Sequence, residues 1–203
     1  MTDTTIANNA LARVGAERIG DIEDTTKGAR LCKALLPTLK EELIESALWG
    51  FASKTVTLPR LAETPPHAQA AFQLPNDCVR VGYIDGLPRN RESIKKWRIQ
   101  GRTLLLLGGF VPNPLNIQYV SKTVPVSDYS PAFRLALEYR LAAEIALGIP
   151  ESKTLHDRLD KKAIKQLSIA ASYDAVQGSS EYRKEGRLHR ARLTGTGSRP
   201  DFE

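Results

Sequence analysis

The chain has 203 residues, 41% of them hydrophobic and 26% charged, a balance that fits a folded globular protein and excludes a disordered one. A chain of this length buries roughly 70% of its unfolded surface, so a core forms without metals or disulfides. Lys and Arg number 29 against 23 Asp and Glu, a net charge of +6, which permits contact with nucleic acid or an acidic protein surface without demanding either.

The start is polar and lacks a basic flank followed by an apolar run, and no stretch approaches the ~18 apolar residues of a membrane span, so synthesis in the cytoplasm is expected. Over 4–14 the residues Ile6, Ala7, Ala10, Leu11 and Val14 share one side of a short helix, with Gly15 placed as its stop. From Asp24 a longer helix of about six turns is predicted, with Asp24 or Thr25 as N-cap. Its apolar stripe is read as Leu31, Leu35, Leu39 and Leu43, flanked by Cys32, Leu36 and Ala47. Pro37 removes one backbone hydrogen bond and predicts a kink or two helices nearly in line. The helix is expected to end near Trp49-Gly50-Phe51, whose aromatics would plug the end of a bundle.

Between 53 and 125 the period changes. Short apolar or alternating runs at 54–58, 71–74, 79–84, 96–99, 103–106 and 116–121 read as strands. Gln100-Gly101 reads as a tight hairpin turn and Pro112-Asn113-Pro114 as a loop. Eight of the twelve prolines fall in this region, which favours strands and loops over helices.

Ser130-Pro131 is a helix start, N-cap then first-turn proline, and the helix over 131–147 is apolar nearly all round, so it must be buried on most sides. A last helix over 151–177 places Leu155, Leu159, Ala163, Leu167 and Ala170 on one face and Arg158, Lys161, Lys162 and Lys165 on the opposite one. The residues 178–203 show no apolar periodicity and read as an extended tail. The expected fold class is α+β, mainly α: a helical bundle with a β-rich insertion. Its parts are 1–52, N-terminal helices; 53–125, the insertion; 126–177, C-terminal helices; and 178–203, the basic tail.

Little in the chain looks catalytic. No glycine-rich phosphate loop opens a helix and no Gly-x-Ser-x-Gly elbow occurs. Cys32 and Cys78 lack metal-ligand spacing and read as inert core thiols, and His67, His156 and His189 read as solvated. Glu41, Glu42 and Glu45 read as a solvated helix face. Arg140 and Glu144, four residues apart on an otherwise apolar side, read as an ion pair that fixes helix register or meets a neighbouring subunit. No catalytic, cofactor or metal residue is assigned.

The clearest electrostatic signal is the tail, where 182–199 carries six Lys and Arg against Glu185 alone. Tyr182, Arg183, Lys184, Arg187, Leu188, Arg190 and Arg192 read as an arm that docks on an acidic protein surface or on phosphates, since a pure solubiliser has no use for apolar anchors such as Leu188 and Leu193.

Several stretches then form a recognisable series: Ile6 through Gly15, the Ala29 and Cys32 helix start, Leu48-Trp49-Gly50-Phe51-Ala52, Phe72-Gln73-Leu74-Pro75-Asn76-Asp77-Cys78-Val79-Arg80-Val81, Ile117-Gln118-Tyr119-Val120, and the run Phe133 through Ala146 with its Arg140-Leu141-Ala142-Ala143-Glu144. In this order, over 6–177, they resemble the tail tubular protein A family, the head-to-tail adaptors of tailed phages, chiefly short-tailed ones. The resemblance implies a dodecameric ring beneath the portal protein and a channel through which genomic DNA leaves the capsid. It also implies a C-terminal segment that reaches the portal, a far side that receives a tail nozzle or tail-fibre protein, a place at the head-to-tail junction of the virion, and no enzymatic activity or cofactor. Two other classes remain open from the residues: a tail-associated peptidoglycan hydrolase using Glu144 with Glu138 or Glu42, and a DNA-binding packaging factor using the basic helix face and the tail.

Overall fold

A computed structural model of the chain describes residues 2–87, 96–109, 111–148 and 153–177. Of these, 48% are helical and 20% lie in strands, so the fold is mixed α and β. The helices are α1 (Asp3–Arg13), α2 (Lys27–Glu45), α3 (Pro131–Leu147) and α4 (Lys153–Gln177). The strands are β1 (Ser53–Leu58), β2 (Ala70–Gln73), β3 (Cys78–Ile84), β4 (Trp97–Gln100), β5 (Thr103–Leu106) and β6 (Leu115–Ser121).

The order along the chain is the expected one, and all six strands form within a residue or so of their predicted limits. They make two antiparallel sheets of three, in the order β1-β6-β3 and β2-β5-β4. Between the sheets lies one apolar core that takes Leu58, Val81, Leu115 and Ile117 from the first and Phe72, Leu104 and Leu106 from the second, with Trp97 partly buried against it. The β4-β5 hairpin turns one residue later than expected. Gln100 pairs with Thr103, so Gly101 and Arg102 are the turn residues, and Gly101 takes the positive φ of 57° that this connection requires.

Helix α3 is central, packing against α1, α2 and α4. Its start is as predicted: Ser130 accepts a hydrogen bond from the Phe133 amide, with Pro131 in the first turn. No residue from 132 to 146 is exposed. The burial that its apolar circumference demands is supplied within one chain, and no neighbouring subunit is needed for it.

Helix α2 departs from its predicted form at its cap, in its stripe and at its end. Its N-cap is Thr26, whose hydroxyl accepts from the Ala29 amide. Asp24 instead closes the preceding turn by accepting from the Gly20 and Asp21 amides. The buried stripe is Ala29, Cys32, Leu36, Leu39 and Leu43, while Leu31 and Leu35 are only half-buried; a 3.6-residue turn drifts away from a strict four-residue repeat. Pro37 lies within one continuous helix rather than between two, and its side chain is exposed. On that side water can serve the Lys33 carbonyl, which loses its intrahelical donor.

Helix α2 ends at Glu45, earlier than expected. Trp49 and Phe51 belong to the short 3-10 turn region before β1. They still fill a helix end: Trp49 contacts Phe133 edge-on at 5.0 Å and stacks on Phe51 at 5.7 Å, and Tyr129 meets Phe133 at 5.0 Å. The Trp49 indole N–H donates to the Leu43 carbonyl at 2.8 Å, satisfying a helix-end acceptor. From the first sheet, Arg80 donates to the Glu45 and Ser46 carbonyls at 3.1 and 3.2 Å, placing a cation where the helix dipole favours one.

Candidate functional site

The geometry divides the predicted residues into three groups. The first is the Arg140–Glu144 pair. These side chains meet at 3.2 Å, and the same guanidinium also reaches Asp160 of α4 at 2.8 Å and Glu42 of α2 at 3.5 Å. One arginine therefore ties three helices together through three carboxylates. The pair does not sit within an apolar interior, because both side chains keep about a quarter of their surface exposed. It stands on the seam where α2, α3 and α4 meet, and its partners are in the same chain.

The second group is the basic face of α4. Arg158, Lys161, Lys162 and Lys165 are all exposed, opposite the side that buries Leu159, Ala163 and Ala170. With Thr154 and Asp157 they line a shallow depression of about 500 Å³. Among the described residues none of the four forms an ion pair. Lys162 lies 5.8 Å from the centre of the Tyr139 ring, which also receives the Arg13 guanidinium at 4.0 Å.

The third group, Tyr182, Arg183, Lys184, Arg187, Leu188, Arg190 and Arg192, lies outside the described residues, as does His189. The helix that precedes them ends beside an open groove of about 1060 Å³, lined by Phe51, Tyr83, Gln118, Asp128, Tyr129 and Asp174 among others. Asp174 accepts the Gly50 amide at 2.9 to 3.0 Å and so fastens the end of α4 to the aromatic turn.

Two carboxylates matter more than the sequence indicated. Glu138 is one of two buried polar side chains among the described residues. It accepts from Asn9 and from Arg13, both at 2.7 Å, and links α3 to α1. The signal in the sequence was a glutamate among the apolar positions of a largely apolar helix; its partners lie 125 and 129 positions away. The other is Asp77, which accepts from Ser121 at 2.7 Å, Lys54 at 2.9 Å and Tyr119 at 3.1 Å. These bonds, led by the one from Ser121, hold its carboxyl down to about 2. Burial, reinforced by the bond to Asp77, pushes the Tyr119 hydroxyl up to about 12. Asp77 thus pins the turn before β3 to the edge of β6 and β1.

The histidine and cysteine readings need adjustment. His156 is half-buried and its Nδ1 donates to the Ala143 carbonyl at 2.8 Å, so it braces α4 on α3 rather than facing water alone. His67 is exposed, with Nε2 2.7 Å from an Arg98 nitrogen. Both cysteines are free thiols; Cys32 is buried, and that burial pushes its thiol up to about 11, the opposite of what a nucleophile needs. Cys78 is only half-buried. Among the described residues no cluster of three or more metal-ligating side chains occurs, and no helix is long and apolar enough to cross a membrane. Against models of protein families and against curated protein sequences, the chain shows no match.

Proposed function

We propose that this chain is a structural head-to-tail adaptor of a tailed phage virion. In this reading copies of it form a ring, expected to be dodecameric from the resemblance. The ring docks on the portal protein, extends the DNA channel and offers a surface to a tail nozzle or tail-fibre protein. The observation that carries the reading is where the resembling stretches lie: they include the parts that pack one element on another. Leu48 through Ala52 form the aromatic plug against Phe133, the Asp77 turn joins β3 to β6, and Phe133 through Ala146 form the central helix. A resemblance that falls on packing residues favours a structural protein over one organised around a reactive pocket.

The carboxylates of the hydrolase alternative are each committed to a guanidinium, Glu138 to Arg13 and both Glu144 and Glu42 to Arg140. That commitment also favours a structural role. Within the proposal the four helices act as a bundle, the chain counts as mainly α, and 53–125 is a β-rich insertion. The arm 178–203, with Tyr182, Arg183, Lys184, Arg187, Leu188, Arg190 and Arg192, is the portal-docking element. Closed rings arise from head-to-tail contacts between two different patches on each subunit.

The test is co-sedimentation of the purified protein with portal rings from the same virion, read as copies bound per ring. Saturation at a fixed simple ratio, lost when 178–203 is deleted, is the expected result. A folded protein that binds no portal at any concentration would overturn the adaptor role.

A further inference from the structure

We propose that the outward face of α4, built on Arg158, Lys161, Lys162 and Lys165, is a contact surface for the phosphate backbone of double-stranded DNA, read without regard to sequence. The first argument is that four cations stand together on one exposed helix face without a carboxylate partner among the described residues. Elsewhere Arg13, Lys33, Lys40, Lys54, Lys122 and Arg140 form ion pairs with carboxylates, while Lys27, Arg30, Lys96 and Lys153 among others form none among the described residues. The four on α4 form none among the described residues, although Asp157 borders the same depression. Lys162 lies over the Tyr139 ring at 5.8 Å, and the charge of the other three is left for solvent or for an outside anion.

Spacing gives the second argument. Arg158 and Lys162 stand four apart, as do Lys161 and Lys165, while Arg158 and Lys161, and Lys162 and Lys165, stand three apart. On a helix each of these is a neighbouring pair of like charges, and such pairs destabilise it. Against these four repulsive pairs the same spacing offers these cations one attractive pair, Asp157 with Lys161, so helix stability alone disfavours an arrangement that an arriving polyanion converts to an attractive one.

The chemistry of the face selects the anion. Interface cores between proteins are depleted in lysine and depend on aromatic or apolar anchors. The depression is lined by Thr154, Asp157 and the four cations, with no apolar side chain. The exposed Ile164 belongs to a separate groove with Leu43, Arg140 and Asp160. Tyr173 and Val176, also exposed, lie two turns or more beyond Lys165. From Arg158 to Lys165 the helix advances about 10 Å, and a duplex presents on the order of six phosphate charges in that length. Lysines are mobile, hydrated point charges without the planar fork that reads a base edge, so three lysines and one arginine suit a backbone that slides past. The inference rests on this charge geometry and is independent of portal docking.

Filter binding of the full chain to a random-sequence duplex of about 40 base pairs, repeated from about 50 to 200 mM salt, tests it. Each phosphate contact contributes about 0.9 to the slope of log affinity against log salt. Replacing all four residues by glutamine (R158Q, K161Q, K162Q and K165Q together) is expected to lower that slope by about 3 to 4 and to weaken low-salt binding at least tenfold. The paired change K161Q with K165Q should lower the slope by about half as much, which keeps the test decisive if the fourfold variant folds poorly. Exchanging the three lysines for arginine should preserve the slope. An unchanged slope in both glutamine variants, with binding abolished only by deleting 178–203, would overturn the proposal. So would polyglutamate binding as tightly as duplex DNA, because the face would then belong to an acidic protein partner.

Discussion

The helical part and the two-sheet part bury apolar surface in different ways. In the helical part a buried carboxylate enters the apolar core, Glu138 reaching Arg13 and Asn9 across α1 and α3, and Arg140 gathers carboxylates from α2, α3 and α4 along the seam where those helices meet. In the sheets the space between the layers is apolar, and the charged hub at Asp77 sits at its margin, where Lys54, Tyr119 and Ser121 converge. Helices present wide faces that can slide along one another, and ion pairs at fixed heights select one register. Strands have their register set by the alternation of buried and exposed side chains and by turn geometry, so a single carboxylate at an end is enough. The cost of setting guanidinium groups between helices is visible in the Nε atoms of Arg13 and Arg140, both buried and without a partner among the described residues.

This contrast can be broken in a graded series. The largest effect is expected at the aromatic plug, where Phe133→Ala removes a fully buried ring that touches Trp49, Phe51 and Tyr129. A loss of about 3–5 kcal/mol in urea denaturation is expected; a loss under 2 would mean that the plug does not anchor the helices. Next comes Glu138→Ala, which strands the half-buried Arg13 guanidinium and should cost about 2–3 kcal/mol. The double change with Arg13→Ala should cost less than the sum of the two single changes. If the two effects simply add, the pair is not coupled.

In the sheets, Asp77→Asn should cost about 1–2 kcal/mol, a figure reduced for partial exposure. Because the folded carboxyl is held down to about 2 from an ordinary value of 3.8, its contribution is complete above the ordinary value and disappears as pH falls through about 2. Stability curves of parent and variant should therefore converge between about pH 4 and pH 2, and parallel curves there would exclude Asp77 as the hub. The smallest effect is expected from the fourfold glutamine variant of α4. Relief of like-charge repulsion should leave the melting temperature unchanged or raise it by about 1 °C. A clear drop would assign those cations a structural role instead.

How much of this was legible in the sequence depended on whether the signal was local. The strands and α3 announced themselves through period, proline placement and the Ser130-Pro131 start, all of which act within a few residues. The stripe of α2 was misplaced because four leucines at equal spacing are conspicuous, whereas burial follows the helix period and selected Ala29 and Cys32 in place of Leu31. Glu138, Asp77 and His156 acquire their roles from groups at positions 13, 121 and 143, and nothing beside them in the chain announces the partner. The basic face of α4 was legible because a helical period places like charges together wherever the helix later packs.

The placement of the two tryptophans has a practical consequence. Trp49 is wholly enclosed by the aromatic plug, and Trp97 is half-buried against the core between the sheets. With only these two in the chain, each region carries its own intrinsic fluorophore. Replacing either one by phenylalanine leaves an optical probe of the other region, so that emission during unfolding can report whether helices and sheets come apart together or in turn.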